Sequence, residues 1–573
     1  MTLTRKVKGL MLVAAFVVAG LGGLLGAAPA SAMSNSVTDW QFHALPDGSE
    51  DTLYAYVKSG ETLNYSNFLL HRFFNQGGTT GVAQVSLTIL DPSGTQVASC
   101  ITAPGDITLA NLNLTCTSTP TSPSITATTT GVYKIIPKVV GTNAANVRWA
   151  TFDLTLSILS GSTVQTGRIW TDYLSTTSVN GSLDNGGTGT TWDVNGYDLT
   201  LYYVTTDGFI YKTTYNTING IHSGYNASKF GVYNQSAKCQ TLYASADNTI
   251  FDPVTGQEHS AGFGMPTDCG TPYHIFLEQP ATDLPATAAS ADGEIFVLPP
   301  VQPTIISSPQ FAKTTGAKGT LTFDISNYNG PINVQIDTNN DGIFERTVAA
   351  TQTGCDAANK CSYSYQLDGQ DAAGKDLTLP AQVKFKVSIA GIGQIHLIMN
   401  DVELLDGGLS VTRLNGPTAN NTILYWDDTK LSTTVKACPA TPRLDGTAGV
   451  DSSAGVHGWT VTEACQDAFR AARTTVPPTM GSNDNSWGDG RYIDNWAFAA
   501  RAADAAAGVA DADGNILLQE LLVNFDQPAV PETPNTSATG GLIGSAVANT
   551  PLLALVAFGA VAFVGRQFVR ARR

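Results

Sequence analysis

Charge is scarce in this chain. Asp, Glu, Lys and Arg make up only 14% of its 573 residues. The 31 basic residues are outnumbered by 47 acidic ones, for a formal charge of −16. An acidic surface repels nucleic acid phosphates and anionic lipid, so no nucleic acid partner is expected. Recognisable catalytic motifs are missing too. There is no Cys-x-x-Cys, and no cysteine has a histidine at finger-like spacing, which argues against a zinc site. No His-Glu-x-x-His, Gly-x-Ser-x-Gly or Walker loop occurs. The seven histidines, His43, His71, His222, His259, His274, His396 and His457, are scattered without a ligand partner at helical or strand spacing. Glycoside hydrolysis needs only two carboxylates brought together by the fold, so a missing motif does not remove it.

What is abundant is Thr, Ser, Asn and Gly, with 56 glycines alone. A polar, uncharged, turn-rich mixture suits many short strands better than helices. The expected class is all-β dominated: tandem β-sandwich domains, Ig-like or jelly-roll, followed by a C-terminal transmembrane helix.

Both ends carry membrane signals. Arg5, Lys6 and Lys8 precede an apolar run and then Ala30-Ser31-Ala32. This is the pattern of a signal peptide over 1–32, cut before Met33. Leu542 to Gly565 holds 24 residues without one charge, and about 20 helical residues cross a bilayer. Arg566, Arg570, Arg572 and Arg573 follow in the basic tail, 566–573. Positive charge stays on the cytoplasmic side, so the body of the chain is placed outside and the C-terminus inside.

The eight cysteines fall into four neighbouring couples: Cys100/Cys116, Cys239/Cys269, Cys355/Cys361 and Cys438/Cys465. Eight cysteines allow 105 connectivities. Pairing of neighbours, one couple per domain, is the simplest, and an exported location lets disulfides persist.

Four domains are expected between the two signals. In the first, 33–159, "LYAYVKSGETLNYS", "VSLTILDPSGTQVAS", "TGVYKIIPKVV" and "ATFDLTLSIL" alternate apolar and polar residues between Gly and Pro turns. These phrases resemble the small jelly-roll domains of the bacterial pre-peptidase C-terminal type. There, "VxxGETL", "LxxxDPSGT" and "TGxYxI" recur in that order. Such domains are accessory modules, so the likeness implies no catalysis. The second, 160–298, contains a hairpin in "YDLTLYYVTTDGFIYKTTY", turning on Asp207-Gly208. It is crowded with aromatics: Trp170, Tyr173, Trp192, Tyr197, Tyr202, Tyr203, Tyr211 and Tyr215. They fit either a sandwich core or an exposed sugar-stacking row. The extended "LPPVQP" opens the third, 299–415, which is again strand-like.

The fourth region, 416–525, mixes strands such as "NTILYWDDTKL" with alanine-rich stretches of helical composition, "TEACQDAFRAAR" and "NWAFAARAADAAAG". Within eleven residues it sets Trp487, Asp489, Arg491, Asp494 and Trp496. In a strand, Asp489, Arg491 and Ile493 share one face, and Asp494 and Trp496 the other. Two readings stand. The group grips a sugar, or an Arg-carboxylate pair is buried under a tryptophan and holds the loop together.

Residues 526–541 are a Pro/Thr-rich stalk. Signal peptide, stalk, apolar span and Arg tail together resemble the cell-wall-sorted surface proteins of Gram-positive bacteria, actinobacterial-like. In that family a transpeptidase cuts a Leu-Pro-x-Thr-Gly motif and joins the threonine to the wall. Val530-Pro531-Glu532-Thr533-Pro534 and Thr533-Pro534-Asn535-Thr536-Ser537 both depart at the first and last positions. Thr533 and Thr536 are therefore sorting candidates, beside plain retention by the membrane span.

One stretch offers a metal. In "DTNNDGIFE", Asp337, Asn339 and Asp341 alternate and Gly342 takes the bend, as in the first half of an EF-hand loop. Ile343 would add its carbonyl and Glu345 its carboxylate. Val348 stands where an EF-hand needs a bidentate glutamate, and strand-like flanks place the loop on a β-hairpin. A structural Ca2+ is expected there. The competing reading is a polar turn.

The sequence therefore predicts a non-enzymatic structural or adhesive protein at the extracellular face of the membrane or cell wall. Its partners would be the cell envelope or an extracellular glycan or protein, and it would touch the membrane through the C-terminal helix. A carbohydrate-binding surface receptor is the alternative, and a surface glycoside hydrolase ranks third.

Overall fold

Residues 82–90 show how the pattern makes the sheet. Ala83, Val85, Leu87 and Ile89 are buried, and the residues between them are not. Successive strand residues point to opposite faces, so a period of two buries one face. The structure, a computed structural model, describes residues 33–34, 40–49, 51–75, 79–109, 112–178, 197–220, 222–237, 239–251, 258–260, 263–264, 269–328, 332–389, 391–402, 404–416, 421–431, 457–459, 488, 491–501 and 517–526. The signal segment 1–32, the alanine-rich 462–473, Cys438, Cys465, Trp487, Asp489, Thr533, Thr536, the stalk beyond Asp526, the apolar span and the basic tail lie outside them. Among the described residues no helix is long and apolar enough to cross a membrane, and none is an α-helix.

The strands that matter run as follows. The first stretch supplies β1 (Trp40–Ala44), β2 (Leu53–Val57), β3 (Thr62–Asn75), β4 (Val82–Leu90), β5 (Gln96–Thr102), β6 (Leu114–Thr119), β7 (Gly131–Val140) and β8 (Val147–Ser160). The second supplies β9 (Ile169–Thr171), β10 (Leu174–Ser178), β11 (Tyr197–Val204), β12 (Ile210–Asn219), β13 (Ser223–Ser228), β14 (His274–Phe276), β15 (Thr287–Ser290) and β16 (Gly293–Phe296). The third adds β17 (Ile305–Ile306), β18 (Gln310–Lys313), β19 (Gly319–Ser326), β20 (Asn333–Asp337), β21 (Arg346–Ala349), β22 (Thr351–Cys355), β23 (Lys360–Leu367) and β24 (Ala381–Ser388). The remainder adds β25 (Ile395–Asn400), β26 (Leu404–Arg413), β27 (His457–Trp459), β28 (Arg491–Ala497) and β29 (Leu518–Phe525).

Two long antiparallel sheets form the body. One runs β6–β5–β4–β7–β2–β9–β14–β11–β12–β26–β27. The other runs β3–β8–β1–β10–β13–β25–β28. Strand β6 pairs with β5 in the first and with β3 in the second, so it joins them at one end. Strands β9 and β10 are three residues apart in sequence, yet they sit in different sheets. One continuous apolar core includes Phe42, Leu87, Ile135, Phe152, Leu201, Tyr215 and Leu397. A second, smaller core forms where residues 284–297 cover part of the first sheet, packing Leu284, Ala288 and Val297 on Trp170, Val204 and Phe276.

The expected division into four consecutive domains is corrected by these pairings. Strands β9 and β10 lie beside β2 and β1, across the boundary placed at 159/160. Strands β25 and β26, assigned to the third domain, pair with β13 and β12 of the second. Among the described residues only β17–β24 form a sandwich of their own, and it is completed from far away. One sheet is β17–β19–β23–β22 with β18 on β19; the other is β21–β20–β24–β29. Strand β29 pairs with β24 over all eight residues, Ala381 opposite Phe525 through Ser388 opposite Leu518. The third region is thus an insertion in the body. Alternation reveals which side chains turn inward but not which strand lies alongside, and that choice decides a domain boundary.

The alanine-rich stretch 495–508 is also corrected where it is described. Residues 495–501 are strand and bend, with β28 held against β25 and against Tyr425–Trp426. Asn495, Trp496 and Ala497 are buried there, and tertiary pairing overrides the helix preference of alanine.

Candidate functional site

The hairpin between β20 and β21 carries the residues of the calcium motif. Asp337 ends β20 fully buried, while Asp341 and Glu345 are exposed. The Asp337 carboxylate gathers the loop: Oδ1 accepts from the backbone N–H of Asn339 and of Asp341, each at 3.2 Å, and Oδ2 from Gly342 at 2.8 Å. Asp341 Oδ1 accepts from the Ile343 N–H at 2.8 Å, and Glu345 Oε2 from the Thr338 N–H at 3.1 Å. Asn340 and Gly342 take positive φ, +57° and +91°. Gly342 makes this bend without the strain a side chain would bring. One oxygen each of Asp337, Asp341 and Glu345 lies within 4.8 Å of the others. Two carboxylates at about 4 Å repel by roughly 1 to 4 kcal/mol near a protein surface. A hard divalent cation takes oxygen ligands and would remove that repulsion, so these three carboxylates are a candidate set for one. The Asn339 Oδ1 accepts from Asp341 N–H at 3.0 Å, and the Ile343 side chain points to solvent, 65% exposed.

The loop sits at the sheet end where β29 finishes. Asn340 Nδ2 donates to Gln382 Oε1 at 3.0 Å, and Gln382 Nε2 donates to Asn524 Oδ1 at 2.9 Å. The Lys384 and Lys386 ammonium groups lie over the Phe344 ring at 5.9 and 5.4 Å. Lys384 also pairs with Glu520 at 2.6 Å.

Of the second candidate group, Arg491, Asp494 and Trp496 all turn inward on β28. Arg491 Nε reaches Asp247 Oδ1 at 3.3 Å. Asp494 is fully enclosed: it accepts from His396 Nδ1 at 2.8 Å and from the Val232 N–H at 3.1 Å. Trp496 stacks on Tyr425, 6.3 Å between ring centres. A Cβ at Gly231 (φ +64°) would strike both His396 and Asp494, so only glycine lets the chain pass here. A second pair lies nearby, joined through Ser245, which accepts from the Asp494 N–H and donates to Asp428 Oδ1 at 2.7 Å. His457 Nε2 meets Asp428 Oδ2 at 2.9 Å. Burial pushes the Asp428 carboxyl up, but His457, Ser245 and Arg491 more than offset this and hold it below its usual range. Asp247, His396, Asp428 and His457 carry no local signal in the sequence, because their partners lie from 29 to 244 residues away.

The aromatics of the second region mostly fill the interior. Trp170, Tyr197, Tyr203, Tyr211 and Tyr215 are buried, with Tyr203 and Tyr215 hydroxyls 2.7 Å apart; Tyr173 and Tyr202 are half-buried, and Trp192 lies outside the described residues. Three cysteine couples are bonded as neighbours: Cys100–Cys116, Cys239–Cys269 and Cys355–Cys361, with Cα separations of 5.5, 5.3 and 4.0 Å. No protein-family model, no curated protein and no solved structure matches this chain.

Proposed function

We propose that this is a non-enzymatic structural or adhesive protein of the cell surface. It is exported through its N-terminal signal, displayed on the 526–541 stalk and held by the apolar span 542–565 or by wall linkage near Thr533 and Thr536. The observation that carries this reading is the stapled all-β body: two long sheets and an inserted sandwich, with three disulfides that each close a short loop. Disulfides persist in oxidising compartments, which fits a body placed outside the membrane. A second feature supports the structural role. His71, His274, His396 and His457 each pair with an aspartate and tie strands together. Calcium at Asp337, Asn339, Asp341, Ile343 and Glu345 would stiffen the hairpin that braces β29, the last strand before the stalk.

Deleting 542–573 tests the reading. The truncated protein should appear in the culture medium, and the cells should lose adhesion to a surface that cells with the full chain bind. Retention of the truncated form on the cells, or adhesion equal with and without it, would overturn the proposal. Replacing Thr533 and Thr536 with alanine separates wall linkage, which would become detergent-extractable, from a plain membrane span, which would not change.

A further inference from the structure

The outward face of the first sheet holds a cleft of about 600 Å³ where β4, β7 and β2 run side by side. That lies within the range of roughly 300–1,000 Å³ typical of small-ligand sites. Leu90, Lys134 and Tyr54 stand in one cross-strand row, with Thr88 and Lys138 further along the same face. The turn after β9 brings Asp172 to one wall, and the turn after β1 brings Asp47 to another. The cleft begins where the cover made by residues 284–297 stops, at the Lys134–Asp292 ion pair of 2.8 Å.

The Tyr54 ring is a fixed platform. It stacks on fully buried Trp170 at 5.9 Å and 18°, and Trp170 packs in turn on Phe276. Lys134, pinned by Asp292, sits 5.8 Å from the Tyr54 ring centre. Among the described residues the Tyr54 hydroxyl, the Thr88 hydroxyl and the Lys138 ammonium have no hydrogen-bond partner. Burial first, and then the charges of Asp172 and Asp292, push the Tyr54 phenol up, so it stays a donor. Asp172 is oriented by His274, whose Nδ1 lies 2.6 Å from Oδ1 and whose Nε2 donates to the Phe296 carbonyl at 2.8 Å. Asp47 engages Ser49 through Oδ1. In each carboxylate the second oxygen remains as an acceptor.

We infer that this cleft binds a neutral saccharide. Donors (Tyr54, Thr88, Lys138) and acceptors (Asp47, Asp172) alternate around the cleft, beside a Tyr54 ring flanked by Trp170 and Lys134. A ligand whose groups each donate and accept satisfies all of them at once. Lys134 is paired with Asp292, and Lys138 stands against Asp47 and Asp172, so the cleft carries no excess of positive charge and does not favour a polyanion. This names a ligand class for the adhesive reading and rests on it only for where the ligand is met.

The test uses the full chain purified in mild detergent, so the result does not depend on surface display. A printed array of neutral and acidic glycans identifies a ligand, and titration calorimetry with that glycan measures it. Neutral glycans should bind, and Tyr54→Ala should weaken binding at least about tenfold. Because Tyr54→Ala also removes packing on Trp170, the exposed-side pair Lys138→Ala and Thr88→Val is measured as well, with a several-fold loss expected at unchanged melting temperature. Binding of acidic glycans only, binding of no glycan at millimolar concentration, or neutral-glycan binding untouched by the Lys138 and Thr88 changes would overturn the inference. Binding to this cleft by a protein found inside the cell would instead overturn the surface reading alone.

Discussion

Replacing Phe385 with alanine should loosen the chain near residue 525 while leaving the body intact. Phe385 is fully buried on β24, stacked on Phe311 at 5.3 Å, and Phe311 meets Phe525 edge-on at 5.7 Å. Truncating a buried phenylalanine costs about 3–5 kcal/mol, from lost transfer energy and the cavity left behind. Among the described residues β29 has only β24 as a sheet partner, so its protection should follow this sandwich. Local opening free energies are read by amide exchange, and about 1.4 kcal/mol changes a rate tenfold. Exchange in 333–337, 381–388 and 518–525 should therefore rise together by about a hundredfold to a few thousandfold, in hydrogen-exchange mass spectrometry on the full chain. Residues 82–90 and 131–140 should keep their protection. If 518–525 stays protected while 333–337 loosens, β29 is held by something else and does not depend on the inserted sandwich.

Calcium should raise the melting temperature of the full chain through ligand linkage, worth about 2.7 kcal/mol at a hundredfold excess over Kd; the effect should vanish in Asp337→Asn, and no shift in the wild-type chain at about 10 mM calcium would leave the hairpin a plain turn. Removing the carboxylate of Asp494 by Asp494→Ala should cost about 3–5 kcal/mol in denaturant melts, because it strips a buried hydrogen-bonded partner from His396, and the double change His396→Leu with Asp494→Leu should lose less than the two single changes added. Acid should weaken the inserted sandwich. The Asp368 carboxyl is held low chiefly by the Arg346 guanidinium at 2.8 and 2.9 Å, and that of Asp324 chiefly by Lys360. A depressed carboxyl contributes stability above its unfolded pKa and loses it as pH falls through the folded one, so the loss should lie below the ordinary carboxylate range. Arg346→Met should flatten it, and an unchanged acid limb in that variant would contradict the assignment.

Local features were legible and long-range ones were not. The hairpin turning on Asp207-Gly208 forms with Val204 opposite Ile210, as two apolar runs around a turn pair predict. Neighbouring cysteines pair where they are described, since short loops bring Cα atoms within bonding distance. The carboxylates of Asp337, Asp341 and Glu345 converge because their spacing is itself local. Strand partners follow no such rule. Strand β2 alternates identically whether it lies beside β7 alone or also beside β9, so nothing in "LYAYV" announces that two expected domains share one sheet. The cleft is of the same kind. Tyr54, Lys134 and Asp172 each look like an outward residue of a separate strand or turn, and only the register brings them together.

The most direct test of the surface account labels intact cells with a membrane-impermeant amine reagent, then maps the recovered protein without reduction. The body should be labelled, for instance at exposed Lys138 and Lys375, and should yield Cys100–Cys116, Cys239–Cys269 and Cys355–Cys361 as linked peptides. A chain that labels only after the cells are broken, and whose cysteines are recovered as free thiols, would contradict it.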